Sequence, residues 1–102
     1  MSSVFRPLAS GRPFIGTATV DGAFALKGID GETVTVSARQ RVVLYAVSAD
    51  GDAKVGYDTT YLVAVNNQAV SLPWGLPLPL GEAPTTDVGT VTLVSVIGEI
   101  LD

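Results

Sequence analysis

The sequence predicts an all-β domain, either a small β-sandwich or a Greek-key or jelly-roll-like barrel of about seven to eight short strands. Turn-forming clusters of Gly, Asp, Asn and Ser recur along most of the chain. No segment of useful length shows helical periodicity, and the stretches between the turns are rich in Val and Thr. Short β-favouring segments separated by regular turn signals are typical of antiparallel sheets that pack face to face.

Individual strands follow from alternation and apolar runs. We expect them at residues 14–20, 23–27, 33–38, 42–47, 53–57, 60–65 and within 88–101, where Gly98 is expected to bend or bulge the chain. In 33–38, Val34 and Val36 alternate with polar side chains, which predicts one buried face. The continuous apolar run at 42–47 predicts a central strand covered on both sides. The dipeptide Asp50-Gly51 predicts a hairpin turn within 47–55.

The stretch 72–80 interrupts this pattern. It contains Trp74, the only tryptophan, and three of the six prolines, Pro73, Pro77 and Pro79. Proline has no backbone N–H and a fixed φ, so the stretch is predicted to be neither a helix nor a central strand. We expect 72–87, with a polar and irregular 81–87, to be the single long connection and the crossover between two sheets.

A chain of 102 residues is expected to form one domain, with an extended N-terminal arm at 1–13 and a β domain at 14–102. The arm carries basic side chains and prolines, and the first acidic residue of the chain is Asp21. It is either a frayed terminus or an arm that binds a neighbouring subunit through Phe5, Arg6 and Arg12.

Composition excludes several classes of function. The chain has no Cys and no His, which removes disulfides, zinc–thiolate sites, thiol nucleophiles and ordinary catalytic triads. A net charge of −4 without basic clusters argues against binding nucleic acid. No apolar run approaches the roughly 18 residues that cross a membrane. With 47% apolar and only 16% charged residues, the domain is expected to associate with other proteins.

No catalytic, cofactor or metal site is predicted. The acids Asp50, Asp52 and Asp58 surround a glycine, but Tyr61 stands where a helix-flanked calcium loop requires Glu. A looser surface site and a solvated hairpin end remain the two readings of these acids. Activation of Lys27 or Lys54 as a base would need burial, whereas both are expected near turns. The chain is therefore expected not to be an enzyme.

The candidate functional residues form a predicted interface. Trp74 fits a core position, an interface anchor or a platform for stacking a sugar ring. Arg39 and Arg41 flank Gln40, so on a strand they would point the same way and grip one acidic partner; a charged, solvated strand end is the other reading. The predicted interface set is Phe5, Arg6, Arg12, Arg39, Arg41, Trp74, Leu76, Leu78 and Leu80.

In layout the chain resembles small virion proteins of tailed bacteriophages. The shared features are the cysteine-free β pattern, the proline-containing arm, the Asp-Gly-Asp segment at 47–55, the sequence Leu-Pro-Trp-Gly-Leu-Pro and an apolar C-terminal strand. In particular it is similar to capsid decoration, or cement, proteins. The resemblance implies a homotrimer on the outer capsid, an arm lying on a neighbouring subunit, and the Trp74 loop at a subunit boundary.

We therefore expect a non-enzymatic structural protein that stabilises a phage capsid by oligomerisation and by contacts of its arm and loop. Its partners would be further copies of itself and the major capsid protein or another virion protein, with no nucleic acid and no membrane. The sequence shows no secretion signal, so synthesis in the host cytoplasm and residence in the virion are expected. Two alternatives are a phage tail or head-to-tail connection protein and a small ligand-binding β module, for example a carbohydrate-binding one.

Overall fold

A computed structural model describes residues 11–102, and this range contains nine strands and no helix. The strands are β1 (Arg12–Ala18), β2 (Gly22–Ala23), β3 (Ala25–Gly28), β4 (Arg41–Ala49), β5 (Asp52–Tyr57), β6 (Thr60–Asn66), β7 (Ala69–Pro77), β8 (Pro84–Asp87) and β9 (Val94–Leu101). The all-β prediction is confirmed. The predicted strands at 42–47, 53–57 and 60–65 correspond to β4, β5 and β6, whereas 23–27 supplies two short strands that belong to different sheets.

The strands form two antiparallel sheets, with the orders β3-β1-β9-β4-β7 and β2-β8-β5-β6. Their inner faces enclose one core, in which each fully buried aliphatic or aromatic side chain contributes roughly 1.5 to 3 kcal/mol. The largest fully buried apolar side chains are Phe14, Val42, Leu44, Val47, Val55, Leu78, Val94, Val96 and Ile100. This packing is consistent with a small β-sandwich.

The central strand of the larger sheet is β9, not the predicted β4. Strand β4 lies between β9 and β7, and one of its faces is buried through Val42 and Leu44. The other face is only half-buried at Val43 and Tyr45. The prediction that this run is covered on both sides is therefore wrong, because only one face of β4 packs into the core between the two sheets.

Two bent strands connect the sheets. Strand β4 passes into β5 at Asp50 and Gly51, and β6 passes into β7 at Asn67 and Gln68. The ladder continues across this corner: the Asn67 N–H donates to the Gly51 carbonyl at 2.9 Å, and the Ala49 N–H donates to the Gln68 carbonyl at 3.3 Å. The predicted hairpin at 47–55 is therefore wrong. Its two arms lie in different sheets, where β4 pairs with β7 and β5 pairs with β6.

The predicted strand at 33–38 is absent from the described structure. Residues 29–40 instead form the longest connection between strands in the range 11–102 and cover the edge of β3. Thr33 makes an isolated bridge to Lys27, and the Val34 N–H donates to the Leu26 carbonyl at 3.0 Å. Val34 and Val36 are half-buried, so the alternation correctly indicated a packed face but not a strand. The predicted single long connection at 72–87 is also wrong, because it contains most of β7 and all of β8.

Near the two ends of the described range the strands differ from the predicted ones. The chain is already paired at Arg12 and Pro13, which the prediction assigned to the arm. Of the predicted 88–101 segment only β9 is a strand. Gly98 does not bulge; the irregularity lies opposite it in β4, where Tyr45 is the extra residue. A Cβ on Gly98 would lie 2.4 Å from the Val43 carbonyl oxygen, so close packing of the backbone explains this glycine.

Candidate interaction surface

The edge strand β7 carries a bulge that separates its two paired ends. The register of β7 on β4 jumps from Ser71 to Leu76 while β4 advances past Tyr45 alone. Residues 72–75 therefore leave the ladder, and Pro73 among them has no N–H to contribute to it. The Leu-Pro-Trp-Gly sequence was predicted not to pair as a central strand, and these four residues indeed do not pair with β4, although they lie within an edge strand.

The crossover between the two sheets is the segment 78–83, which is shorter than predicted.

Trp74 projects from this bulge into solvent, with 97% of its surface exposed. The next residue, Gly75, has φ of 77°, a conformation that costs an ordinary residue roughly 1 to 2 kcal/mol. Its Cα packs so closely on β4 that an added Cβ would lie 2.7 Å from Val43 Cγ1 and 3.2 Å from Tyr45 Cε1. The glycine thus lets the chain press onto β4 immediately after Trp74. Exposure excludes the core reading of Trp74 and leaves the interface anchor and the sugar platform.

Tyr45 supports the bulge from below. Its hydroxyl donates a hydrogen bond to Glu99 Oε1 at 2.8 Å, across the pair formed by β4 and β9. The hydrogen bond to the Glu99 carboxylate raises the pKa of Tyr45 above its ordinary value, with smaller contributions from burial and from the negative charge of Glu99. Since the carboxylate needs the phenolic proton as a donor, the pair is stable in the protonated form of Tyr45. The bond ties the ring that contacts Gly75 to the central strand.

The outer face of the five-stranded sheet extends from the bulge. Ile15 on β1 lies directly opposite Ile97 on β9, and Ile97 lies opposite Ala46 on β4. Ile15 is 55% exposed and Ile97 is 51% exposed. The neighbouring row across the same strands contains Thr17, Ser95 and other small side chains. On this face Lys27 on β3 lies opposite Ile15, and Glu99 follows Ile97 by two residues on β9. Between these two charges the isoleucine pair and its small polar neighbours form an apolar patch that suits contact with another protein.

The three leucines of the predicted interface differ in how much of their surface is exposed. Leu80 is 56% exposed, Leu76 is half-buried, and Leu78 is 1% exposed. The Leu78 N–H donates to the Val42 carbonyl at 2.8 Å, and its side chain is part of the core. Including Leu78 in the interface set is therefore wrong. The chain turns inward after Pro77, so the regular spacing of leucines does not correspond to one exposed face.

The two arginines of the predicted acid grip do not share a strand. Arg39 lies in the turn before β4, and Arg41 is the first residue of β4; both are exposed. The prediction that they point the same way from one strand is wrong. Gln40 between them makes the contacts instead: its Nε2 donates to Asp102 Oδ1 at 2.7 Å, and its carbonyl accepts the Gly81 N–H at 2.7 Å. Nothing in the sequence pattern distinguished this glutamine.

Arg12 is also exposed, at the start of β1, whereas Phe5 and Arg6 lie outside the described residues. Arg41 contributes to a shallow groove between the edges β7 and β6, together with Leu62, Leu76 and Pro77. An arginine beside apolar side chains is a common composition for a protein contact. Arg41 therefore stays in the candidate surface next to the Trp74 bulge.

Asp50 holds the corner in place through hydrogen bonds of its carboxylate. The Asp50 carboxylate accepts the Thr92 hydroxyl, the Thr92 N–H at 3.0 Å and the Leu93 N–H at 3.4 Å. The Thr92 hydroxyl and N–H lower the pKa of Asp50 below its ordinary value of 3.8. Asp58 lies at the opposite end of β5, with φ of 50° in the turn to β6. Within residues 11–102 no three acidic side chains are grouped as a metal site would require.

Comparison of the chain with protein-family models, curated proteins and solved structures gave no significant match. Residues 11–102 contain no helix that is long and apolar enough to cross a membrane. Function is therefore argued from the surface alone. Its distinctive features are the bulge that presents Trp74, the half-exposed isoleucine pair on the outer sheet face, and the groove beside Arg41.

Proposed function

We propose that the protein is a non-enzymatic structural component of a phage particle, of the capsid decoration type, which stabilises the particle by binding other protein subunits through the surface around Trp74. The observation that carries the proposal is the 97% exposure of Trp74 on a bulge supported by Tyr45 and Gly75. A tryptophan held this way loses little conformational freedom when a partner covers it, which is typical of residues that dominate association energies.

Two further observations support an assembly role. The apolar fraction of 47% is high for a chain with only 16% charged residues, and large apolar side chains such as Ile15 and Ile97 remain half-exposed on the described domain. The two lysines, Lys27 and Lys54, are exposed rather than desolvated, so neither is placed as an activated nucleophile. The partner would be a second copy of this chain or another subunit of the particle.

The experiment is light scattering on the purified chain combined with the fluorescence of its single tryptophan. We expect a discrete oligomer whose Trp74 emission shifts to shorter wavelength as the protein associates. Trp74→Ala is expected to weaken association by roughly 2 kcal/mol or more, about thirtyfold in affinity. Ile29→Ala is the matched control, because Ile29 is 88% exposed in the distant connection 29–40. A wild type that is a monodisperse monomer, or a Trp74→Ala protein that associates as tightly as the wild type, would contradict self-association through Trp74.

The carbohydrate-binding alternative rests on the same exposed ring, since a solvent-facing tryptophan is also what stacks on a sugar. It predicts a different response: a monomer whose Trp74 emission shifts on addition of an oligosaccharide, with no change in mass. Sugar sites also need convergent polar groups, and beside Trp74 the described chain places Pro73 and Gly75. An oligosaccharide titration across several chemical classes therefore separates the two functions.

A further inference from the structure

The part of the chain that the structure describes has four edge strands, which differ in how they are protected against pairing with another chain. Natural edges are blocked by prolines, by charged residues, by shortness or by a covering loop. Strand β7 has two prolines and the bulge, and β2 has two residues. Strand β3 carries Lys27 and is covered by the following connection, through the bridge from Lys27 to Thr33 and the bond from the Val34 N–H to the Leu26 carbonyl.

Strand β6 is the fourth edge, and within residues 11–102 it has no proline, no charged residue and no covering connection. It pairs with β5 on one side and has no partner strand on the other within the described residues. It contains no proline, and no charged residue occurs between Asp58 and Glu82. Its one irregularity is the extra residue Leu62, after which 63–66 continue in regular register. Tyr61 and Leu62 are 39% and 44% exposed.

The hydrogen-bond alternation shows which backbone groups lie on the free side of β6. Asn67 donates to Gly51 across the ladder, so Val65 and Val63, at alternate positions before it, also face β5. Ala64 and Asn66 then turn their N–H and C=O groups away from β5. These two residues present a short, regular row of donors and acceptors at an uncharged edge.

We propose that this edge pairs antiparallel with the β6 edge of a second copy, which joins two four-stranded sheets into one continuous sheet across a two-fold axis. Ala64 and Asn66 of each copy exchange the backbone hydrogen bonds. The side chains of Tyr61 and Leu62 lie beside the junction, where the partner covers part of their exposed surface.

The absence of charge on β6 favours a second copy as the occupant. When identical strands pair antiparallel about a two-fold axis, a charged side chain close to the axis meets its own copy directly opposite or on the diagonal. Strand β6 has none, so self-pairing carries no such repulsion. A charged partner strand would find no counter-charge on β6 itself. The inference does not rest on the proposed function, because the β6 edge pairs through backbone groups whatever Trp74 binds.

Ala64→Pro is the decisive variant. Proline removes the edge-facing N–H of Ala64 but no hydrogen bond to β5, so the domain is expected to fold. The matched control is Ser71→Pro: Ser71 lies opposite Ala46 at a position of β7 whose N–H, by the same alternation from the Ala49–Gln68 bond, also faces away from its partner strand. Circular dichroism and thermal melting check that both variants are folded.

Light scattering over a dilution series measures the mass. The wild type and Ser71→Pro are expected to contain at least a two-chain species, and Ala64→Pro to weaken that association by at least a hundredfold. Hydrogen exchange adds a local readout, since the Ala64 and Asn66 amides are protected in the paired edge and exchange readily in a monomer. If Ala64→Pro does not fold, Ala64→Lys keeps the N–H and places like charges on the paired edges, with the same expected loss. A folded variant of either kind overturns the inference if its Asn66 amide stays protected, or if it keeps the two-chain mass when Trp74→Ala is also present. A monomeric wild type overturns it as well.

Trp74→Ala separates this interface from the proposed function. If both surfaces associate, Trp74→Ala retains the β6-paired dimer, Ala64→Pro retains the Trp74-mediated contact, and the double variant is a monomer. A dimer that is unaffected by Trp74→Ala and lost in Ala64→Pro supports the β6 interface and contradicts self-association through Trp74. The reverse pattern contradicts the β6 interface alone.

Discussion

Strands β6 and β7 are two halves of one bent strand, yet they form very different edges. Strand β6 is an edge of uncharged residues, and the backbone groups of Ala64 and Asn66 face outward from the ladder. The edge of strand β7 is made irregular by prolines and by the bulge, and it presents the most exposed large hydrophobic side chain of the described residues, Trp74. A single irregularity on β7 thus blocks backbone pairing and provides a side-chain contact. The two edges are suited to different kinds of association, one through the backbone and one through an aromatic ring.

Gly56→Ala tests how rigidly β6 is held and has the largest expected effect. A Cβ at this position would lie 2.0 Å from the Thr60 carbonyl oxygen and 2.7 Å from Tyr61 Cα, which are backbone atoms of β6. The ladder must shift to make room, and we expect the free energy of unfolding to fall by about 3 kcal/mol or more in urea denaturation. Gly22→Ala is the comparison: its added Cβ meets no atom within 4 Å, so its cost comes from the φ of 116° alone and not from a collision. A Gly56→Ala protein as stable as the Gly22→Ala protein would contradict the rigid ladder.

Gly75→Ala makes the same change on β7 and should cost less. The added Cβ would meet Val43 Cγ1 at 2.7 Å and Tyr45 Cε1 at 3.2 Å, both side-chain atoms that can move. The positive φ adds to the cost, and we expect a loss of about 2 kcal/mol in the same measurement. The Trp74 fluorescence emission should also change, because the added methyl group prevents residue 75 from packing against the Tyr45 ring. If Gly75→Ala lowers the free energy of unfolding more than Gly56→Ala does, the bulge is less able to adjust than the β6 ladder, and our expectation is wrong.

The fold class could be predicted from the sequence because turn chemistry and apolar alternation are local properties. Strand pairing could not, since it depends on partners far away in the chain. Asp50-Gly51 correctly marks a change of chain direction, but the dipeptide is equally compatible with a hairpin and with the bend between sheets that the structure contains. Val34 and Val36 alternate like strand residues because a loop lying on a sheet edge also has one packed face. In both cases the local pattern was right and the assumed partner was wrong.

The candidate surface divides in the same way. Trp74 could be identified as a candidate from the sequence because it is the only tryptophan and follows Pro73, which has no N–H to donate in a regular strand. The sequence pattern could not show that Leu78 is buried and Leu80 exposed. The chain turns inward after Pro77 because Leu78 packs into the core, and the residues of that core lie far away in the sequence. The β6 edge was missed, although the absence of charge between Asp58 and Glu82 was visible in the sequence. The absence of charge indicates an unprotected edge only when the sheet order shows that β6 lies at an edge.

Asp50→Asn tests the corner at which β6 and β7 are coupled through β4 and β5. The Thr92 hydroxyl and N–H lower the pKa of Asp50 in the folded state below 3.8, so its stabilisation is present above that pH and is lost as the pH falls below it. We expect the melting temperatures of wild type and Asp50→Asn to differ at neutral pH and to converge in acid. Asp52→Asn controls for the loss of one negative charge at the corner. Hydrogen exchange should show faster opening at both Ala49 and Asn67, whereas opening confined to one strand would contradict the coupling.

Tyr45→Phe should have the smallest effect and acts on β7 alone. It removes the hydrogen bond to Glu99 and retains the ring under Gly75, so we expect a loss of about 0.5 kcal/mol in the free energy of unfolding near neutral pH. Because the folded-state pKa of Tyr45 is raised, its stabilisation is complete below the ordinary value of 10.0 and is lost as the pH rises through the folded-state value. The wild-type and Tyr45→Phe unfolding curves should therefore differ less in strong alkali. Tyr61→Phe, the same change on β6, is expected to leave the Trp74 emission unchanged, so an equal response in the two variants would show that the bulge is not supported through Tyr45.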